Sequence, residues 1–160
     1  MCIRDRAGTL STFLALAAPD SSELAVLVDA RTRDSGPVRR LVDNGQLENG
    51  SLVILSEITG VADADIEDLF DPAFYLQLVN RSYEQDLGEA PIGVDDLSMD
   101  FARITRRVDA LFAARRIGSG RLDRFLPART LLRSQVELMP LLDHATRIRF
   151  AALAKRINDV

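Results

Sequence analysis

Cysteine, histidine, lysine and tryptophan are nearly missing from this chain. Cys2 is the one cysteine, His144 the one histidine and Lys155 the one lysine, and tryptophan is absent. One cysteine excludes a disulfide within the chain, and with one histidine it excludes a Cys/His zinc site. A reducing, cytoplasmic setting is the expectation. A Cys–His or Ser–His nucleophile would have to use His144, which sits in Leu141-Leu142-Asp143-His144-Ala145, a sequence that reads as a helix start. Phosphorylation of Asp29 in the manner of a receiver domain usually needs a lysine at a later strand end, and Lys155 falls in the last expected helix. No Gly-x-x-x-x-Gly-Lys loop is present, which excludes ATP hydrolysis by that route. No stretch approaches the roughly 20 apolar residues of a membrane helix, and no membrane partner is expected. The apolar runs Leu24–Val28 and Leu52–Leu55 are strand-sized.

What is present suits a globular protein. The 160 residues are 47% apolar and 28% charged, enough for one compact domain with a helical appendage. A net charge of −4 argues against a chain that coats nucleic acid by itself, although a local basic face is compatible with it. All but one of the 20 basic residues are arginine. The opening Met1-Cys2-Ile3-Arg4-Asp5-Arg6 has no signal-peptide core and no periodicity linking it to the residues after it. It reads as a non-native leader over residues 1–6, like translated adaptor sequence, with the natural frame expected to continue upstream of Ala7.

Hydrophobic patterning predicts a short helix over Thr12–Ala18, then a strand over Glu23–Asp29. The strand is an unbroken apolar run, as in a parallel sheet covered on both faces. Pro37–Asn44 is a predicted helix stopped by Gly45, and Ser51–Ser56 a second strand after the Asn49-Gly50 turn. Residues 23–56 therefore read strand–helix–strand, the right-handed crossover of a parallel sheet. Thr59–Ala64 is loop. Asp65–Phe70 opens a helical region, and Asp71-Pro72 restarts a helix that runs through Tyr83.

No convincing strand occurs after Tyr83. A helix over Asp100–Arg116 is expected to rest on Phe101, Ile104, Val108, Leu111 and Phe112, and to stop at Gly118-Ser119-Gly120. Helices over Pro127–Met139 and Asp143–Asn158 complete the pattern, the latter facing inward with Ile148, Ala151, Leu153 and Ile157. The fold class is α/β, with an α/β domain over residues 7–83 and an all-helical region over 84–160.

In open parallel sheets ligands bind beyond the carboxyl ends of strands. Asp29 ends the first strand, and Glu67 and Asp68 follow the second after a loop, with Asp63 and Asp65 just before them. Hard oxygen donors without soft ones suit Mg²⁺ or Mn²⁺, which support phosphoryl-transfer chemistry. On spacing alone the structural alternative is the favoured reading. A strand-terminal aspartate can cap a loop, and Asp65, Glu67 and Asp68 complement a helix dipole. Arg103, Arg106, Arg107, Arg115 and Arg116 could meet a DNA backbone, but a solvated face paired with Asp100 and Asp109 is the favoured reading.

The residues from Val26 to Arg31, the arginine- and leucine-rich helix ending near Gly45, and Val53–Gly60 resemble the TOPRIM-type region of OLD-family ATP-dependent nucleases. Ala64–Phe70 is the most specific part of the likeness, continued by Asp71–Leu76, Val79-Asn80 and Tyr83. Arg124–Arg129, Leu131–Arg133 and Arg156–Asn158 are similar to the family's helical tail. The resemblance spans most of Gly8–Asn158 and implies a partial TOPRIM-like sheet in a metal-dependent DNA endonuclease. It also implies an ATPase on an N-terminal part of the polypeptide, DNA as partner and a homo-oligomer. It assigns Asp29 to the first aspartate of the Asp-x-Asp pattern, Glu67 and Asp68 to the later acidic motif, catalysis to Asp29 and Glu67, and metal binding to all three. Two departures count against activity of the chain alone. Arg31 stands where the second aspartate is expected, and the strand carrying the family's glutamate has no counterpart. A degenerate, non-catalytic interaction or oligomerisation module is the alternative.

Overall fold

The computed structural model describes residues 25–28, 36–45, 47 and 51–159. This part is an α-rich mixed α/β structure with one two-stranded parallel sheet. The chain divides into two compact units, Met1–Asp63 together with Ala151–Val160, and Ala64–Phe150.

In the first unit the crossover is as expected: strand β1 (Val26–Val28), helix α1 (Gly36–Asp43) and strand β2 (Leu52–Ile54), with Val26 opposite Leu52 and Val28 opposite Ile54. Every residue of β2 is buried, so its unbroken apolar run does mark a strand covered on both faces. Val38 and Leu41 of α1, with Leu47, pack in one cluster with the valines of β1. The helix stops at Gly45, whose N–H bonds to the Val42 carbonyl.

The second strand is shorter than expected. After Ile54 the chain coils at once into α2 (Leu55–Thr59), closed by Gly60 at φ 74° with its N–H on the Ser56 carbonyl. An apolar run alone does not separate strand from helix. Here Glu57 in the first turn and a glycine able to enter the left-handed region favour the helix.

The second unit is helical. A 3₁₀ turn (Ile66–Leu69) leads to α3 (Pro72–Ser82), α4 (Glu84–Leu87), a 3₁₀ turn (Val94–Asp96), α5 (Ile104–Arg115), α6 (Phe125–Arg133), α7 (Gln135–Leu138) and a 3₁₀ turn (Met139–Leu141). Helix α8 (His144–Asn158) is the last element. The start of α3 is legible in its residues: the Asp71 carboxylate accepts the Ala73 N–H at 2.9 Å, and Pro72 takes the first turn. Phe74, Tyr75, Leu76, Leu78 and Val79 are all buried, more than one stripe, so α3 lies at the centre of this unit. Ile104, Val108 and Phe112 of α5 join it in one core with Ile117, Leu122 and Leu138. Tyr83, where a domain boundary was expected, lies in that core edge-on to Phe112, ring centroids 4.8 Å apart.

Three expectations need correction. The helix expected from Asp100 begins at Ile104, and Phe101, expected in the core, is 43% exposed. Its start is set from a distance, because the Ile104 N–H bonds to the Asp68 carboxylate. The helix expected over Pro127–Met139 breaks at Ser134 (φ −113°, ψ 24°) into α6 and α7. In α8 only Leu153 of the four expected inward residues is buried, with Ile148 and Ile157 well exposed. Asp143 caps that helix through the N–H groups of Ala145 and Thr146, leaving His144 exposed in the first turn.

Helix α5 ends before Gly118-Ser119-Gly120. Arg116 takes the left-handed conformation (φ 54°, ψ 40°), and the Ile117 N–H reaches the Phe112 carbonyl. A non-glycine residue is strained there. Arg116→Gly is expected to raise the unfolding free energy by about 0.5–1 kcal/mol, read by denaturant titration.

Candidate functional site

The acidic segment Asp65–Asp68 is held by hydrogen bonds from far along the chain. Its 3₁₀ turn closes when the Asp65 N–H donates to one Asp68 oxygen at 2.7 Å. The other Asp68 oxygen accepts the Ile104 N–H at 2.9 Å, so one carboxylate both closes the turn and starts α5. Asp65 is more heavily engaged. Arg103 Nη1 donates to its Oδ1 at 2.7 Å, while Thr105 Oγ1 (2.8 Å) and Arg124 Nη1 (2.7 Å) donate to its Oδ2. The side chains of Asp65, Arg103 and Arg124 are only 12–20% exposed, and Thr105 is fully buried.

Glu67 sits differently. Its side chain is 16% exposed, and its Oε1 lies 3.8 Å from Arg124 Nη1, the guanidinium nitrogen already committed to Asp65. Burial pushes its carboxyl above the ordinary value, against the opposing pull of its own backbone N–H and of Arg124. Burial also raises Asp68, despite the two N–H groups it accepts. Tyr75, 2% exposed, places its hydroxyl among these charges without a hydrogen-bond partner. Burial first, and then the Glu67 charge, drive its phenol upward.

The Glu67 shift has a consequence for stability. With its folded value raised above the usual 4.5, the folded protein holds this proton to higher pH than the unfolded chain. Stability therefore falls as pH rises from about 4.5 through the folded value. Glu67→Gln is expected to raise the thermal midpoint at pH 7 and to leave it unchanged well below pH 4.5, as a pair of melting curves shows.

Of the expected site residues, Glu67 and Asp68 lie side by side on this turn, and Asp29, like Arg31, lies outside the described residues. Among the described residues, no group of three or more His, Cys, Asp or Glu is arranged to hold a metal. Glu67 would offer a divalent cation one desolvated carboxylate, with the Arg124 guanidinium 3.8 Å away. Asp68 would meet it with both oxygens already accepting N–H groups.

Arg103, Thr105 and Arg124 were not expected at the acidic turn. Their only sequence signal is that Arg103 lies just before α5 and Arg124 just before α6. The arginines of α5 do not form the expected face paired with Asp100 and Asp109. Arg115 pairs with Asp96, Arg107 bonds the Phe101 carbonyl, Asp100 accepts from Ser98, and Asp109 accepts the Leu122 N–H. Elsewhere in this unit, Arg81 and Glu137 pair at 2.7 Å across an open depression of about 640 Å³.

No family model, curated protein or solved structure matches the chain. The functional reading therefore rests on the residues and on the resemblance read from them.

Proposed function

We propose that the chain is the TOPRIM-like portion of a divalent-metal-dependent DNA endonuclease of the OLD-family type. The resemblance assigns catalysis to Asp29 and to Glu67, and ATP hydrolysis to a separate N-terminal part of the polypeptide. One observation supports this most: Glu67 is a largely buried carboxylate whose ion-pair partner, Arg124, is 3.8 Å away and bonds Asp65 more closely. Mg²⁺ or Mn²⁺ at such a carboxylate supplies the missing positive charge, activates water and neutralises a scissile phosphate. Asp68 fixes the turn, and the lone pairs left on its carboxylate are what it offers a metal. DNA is the polymer partner. A second copy of the chain is the protein partner, a reading supported by exposed Phe125, Leu132 and Val136 along α6 and α7.

The test is Mn²⁺-dependent nicking of supercoiled plasmid by the polypeptide that carries this chain behind its ATPase. Asp29→Ala and Glu67→Gln are each expected to lower nicking about 100-fold or more. Unchanged nicking in both variants contradicts the assignment.

The alternative, a non-catalytic interaction module, is favoured by one feature: two guanidiniums already neutralise most of the acidic turn. It predicts no saturable Mn²⁺ binding under any condition.

A further inference from the structure

We propose that the outer face of α6 and α7 seats a second copy of this chain, packed antiparallel about a two-fold axis near Gln135, with Arg133 of each copy on Glu137 of the other. The inference rests on the second-copy reading above, gives that reading its interface, and is independent of the metal centre. Phe125, Leu132, Val136 and Met139 fall at i, i+7, i+11 and i+14, the spacing of one helical stripe. All four are exposed, Leu132 by 72% and Val136 by 89%. Leu131 and Leu138 meanwhile pack on the core of their own unit, so the segment is docked and the stripe is its outward side.

The charges beside the stripe decide the occupant. Arg133 has no hydrogen bond or ion pair among the described residues. Glu137 gives one oxygen to Arg81 at 2.7 Å and, 64% exposed, keeps the other toward solvent. An acidic partner would meet Arg133 and be repelled by Glu137, and a basic partner the reverse. A second copy satisfies both, because in a two-fold interface residue i meets j and residue j meets i. When the axis runs perpendicular to two antiparallel helices, each flank meets the same flank of the other copy. Arg133 and Glu137 lie four residues apart on one flank, so an axis near Gln135 forms the Arg133–Glu137 pair twice. An axis near Arg133 would instead set the two Arg133 guanidiniums against each other. A parallel pair would turn the charged flank toward the opposite one, which carries Ala128 and Gln135. The register chosen by charge also suits the apolar stripe. Val136, the most exposed large apolar side chain among the described residues, comes next to the axis, and Leu132 comes onto Met139 of the second copy.

The test is sedimentation equilibrium of the full chain over a wide concentration range, with circular dichroism melts confirming that each variant is folded. Wild type is expected to associate reversibly into dimers. Val136→Asp is expected to weaken association about 10-fold or more, since two carboxylates are driven together at the axis. Arg133→Glu and Glu137→Arg are each expected to weaken it about 10-fold, as two attractive pairs become repulsive. Mixed in equal amounts, these two variants associate again, because every pair across the interface then has opposite signs. The double variant Arg133→Glu/Glu137→Arg is expected to return to within about threefold of wild type. Dimers of wild-type strength in Val136→Asp, or charge variants that stay apart when mixed, overturn this interface while leaving a second copy bound elsewhere. Wild type that is monomeric at every concentration overturns the interface and the second-copy reading together. Cosedimentation of that monomer with anionic vesicles would hand the face to a lipid surface.

Discussion

Phe112→Ala is expected to lower the unfolding free energy by about 3–5 kcal/mol, a larger effect than any other substitution named for this chain. Phe112 is fully buried and meets Tyr83 edge-on at 4.8 Å, in the core that joins α3 and α5 with Ile117 and Leu138. Removing the ring leaves a cavity between two helices that cannot close without moving α3, the most heavily buried element of the unit. It also leaves the Tyr83 ring without its edge contact. Tyr83 has a further duty, because its hydroxyl accepts the Asp123 N–H at 2.7 Å just before α6. Loss of Phe112 should therefore be felt beyond its own helix. A two-state urea titration reads the change, and a loss below about 1 kcal/mol would show that this core repacks freely.

The second large effect concerns Asp68. Asp68→Ala is expected to cost about 2–4 kcal/mol, because two backbone N–H groups lose their acceptor at once. One belongs to Asp65 and closes the 3₁₀ turn, and the other belongs to Ile104 and opens α5. The neighbouring Glu67→Gln goes the other way and stabilises slightly at neutral pH, since it removes a carboxylate that burial disfavours. Adjacent residues of one acidic motif are thus expected to respond with opposite signs. That contrast separates a side chain kept for structure from one kept at a cost to stability, the pattern of a functional group. If both substitutions destabilise alike, the division of labour is wrong. Melting curves of the two variants beside wild type decide it.

Much of the fold was legible where local chemistry and hydrophobic pattern agree. The parallel β1–α1–β2 crossover followed from two unbroken apolar runs around a helix with a glycine stop. The start of α3 followed from Asp71-Pro72, and the C-terminal helix from the helix start read at Leu141–Ala145, where the structure shows Asp143 as the cap. The features that were not legible depend on partners distant in sequence. Nothing near Ile104 announces a helix start, because its cap is Asp68, 36 residues earlier. Phe101 fits the helical period, yet it lies before that cap and is exposed. The apolar run through Leu55 reads as strand until Gly60 shows where a short helix ends.

The same distinction applies to the candidate site. Glu67 and Asp68 stand out as an acidic pair, but their different roles depend on Arg103, Thr105 and Arg124, which lie far along the chain and carry no motif. Helix–dipole reasoning treats Asp65, Glu67 and Asp68 as equivalent acids at a helix start. In the folded unit Asp65 is a junction for two guanidiniums and a hydroxyl, Asp68 is a double acceptor of backbone N–H groups, and Glu67 is a largely buried acid 3.8 Å from Arg124.

The most direct test of the account is the binding of Mn²⁺, tracked by electron paramagnetic resonance, to wild-type chain and to Glu67→Gln at neutral pH. The account predicts saturable uptake of Mn²⁺ by wild type and loss of that uptake in a Glu67→Gln protein that melts no lower than wild type. Saturable uptake of equal strength in both would contradict it, by showing that the cation is held elsewhere and that Glu67 is not the open carboxylate of the site.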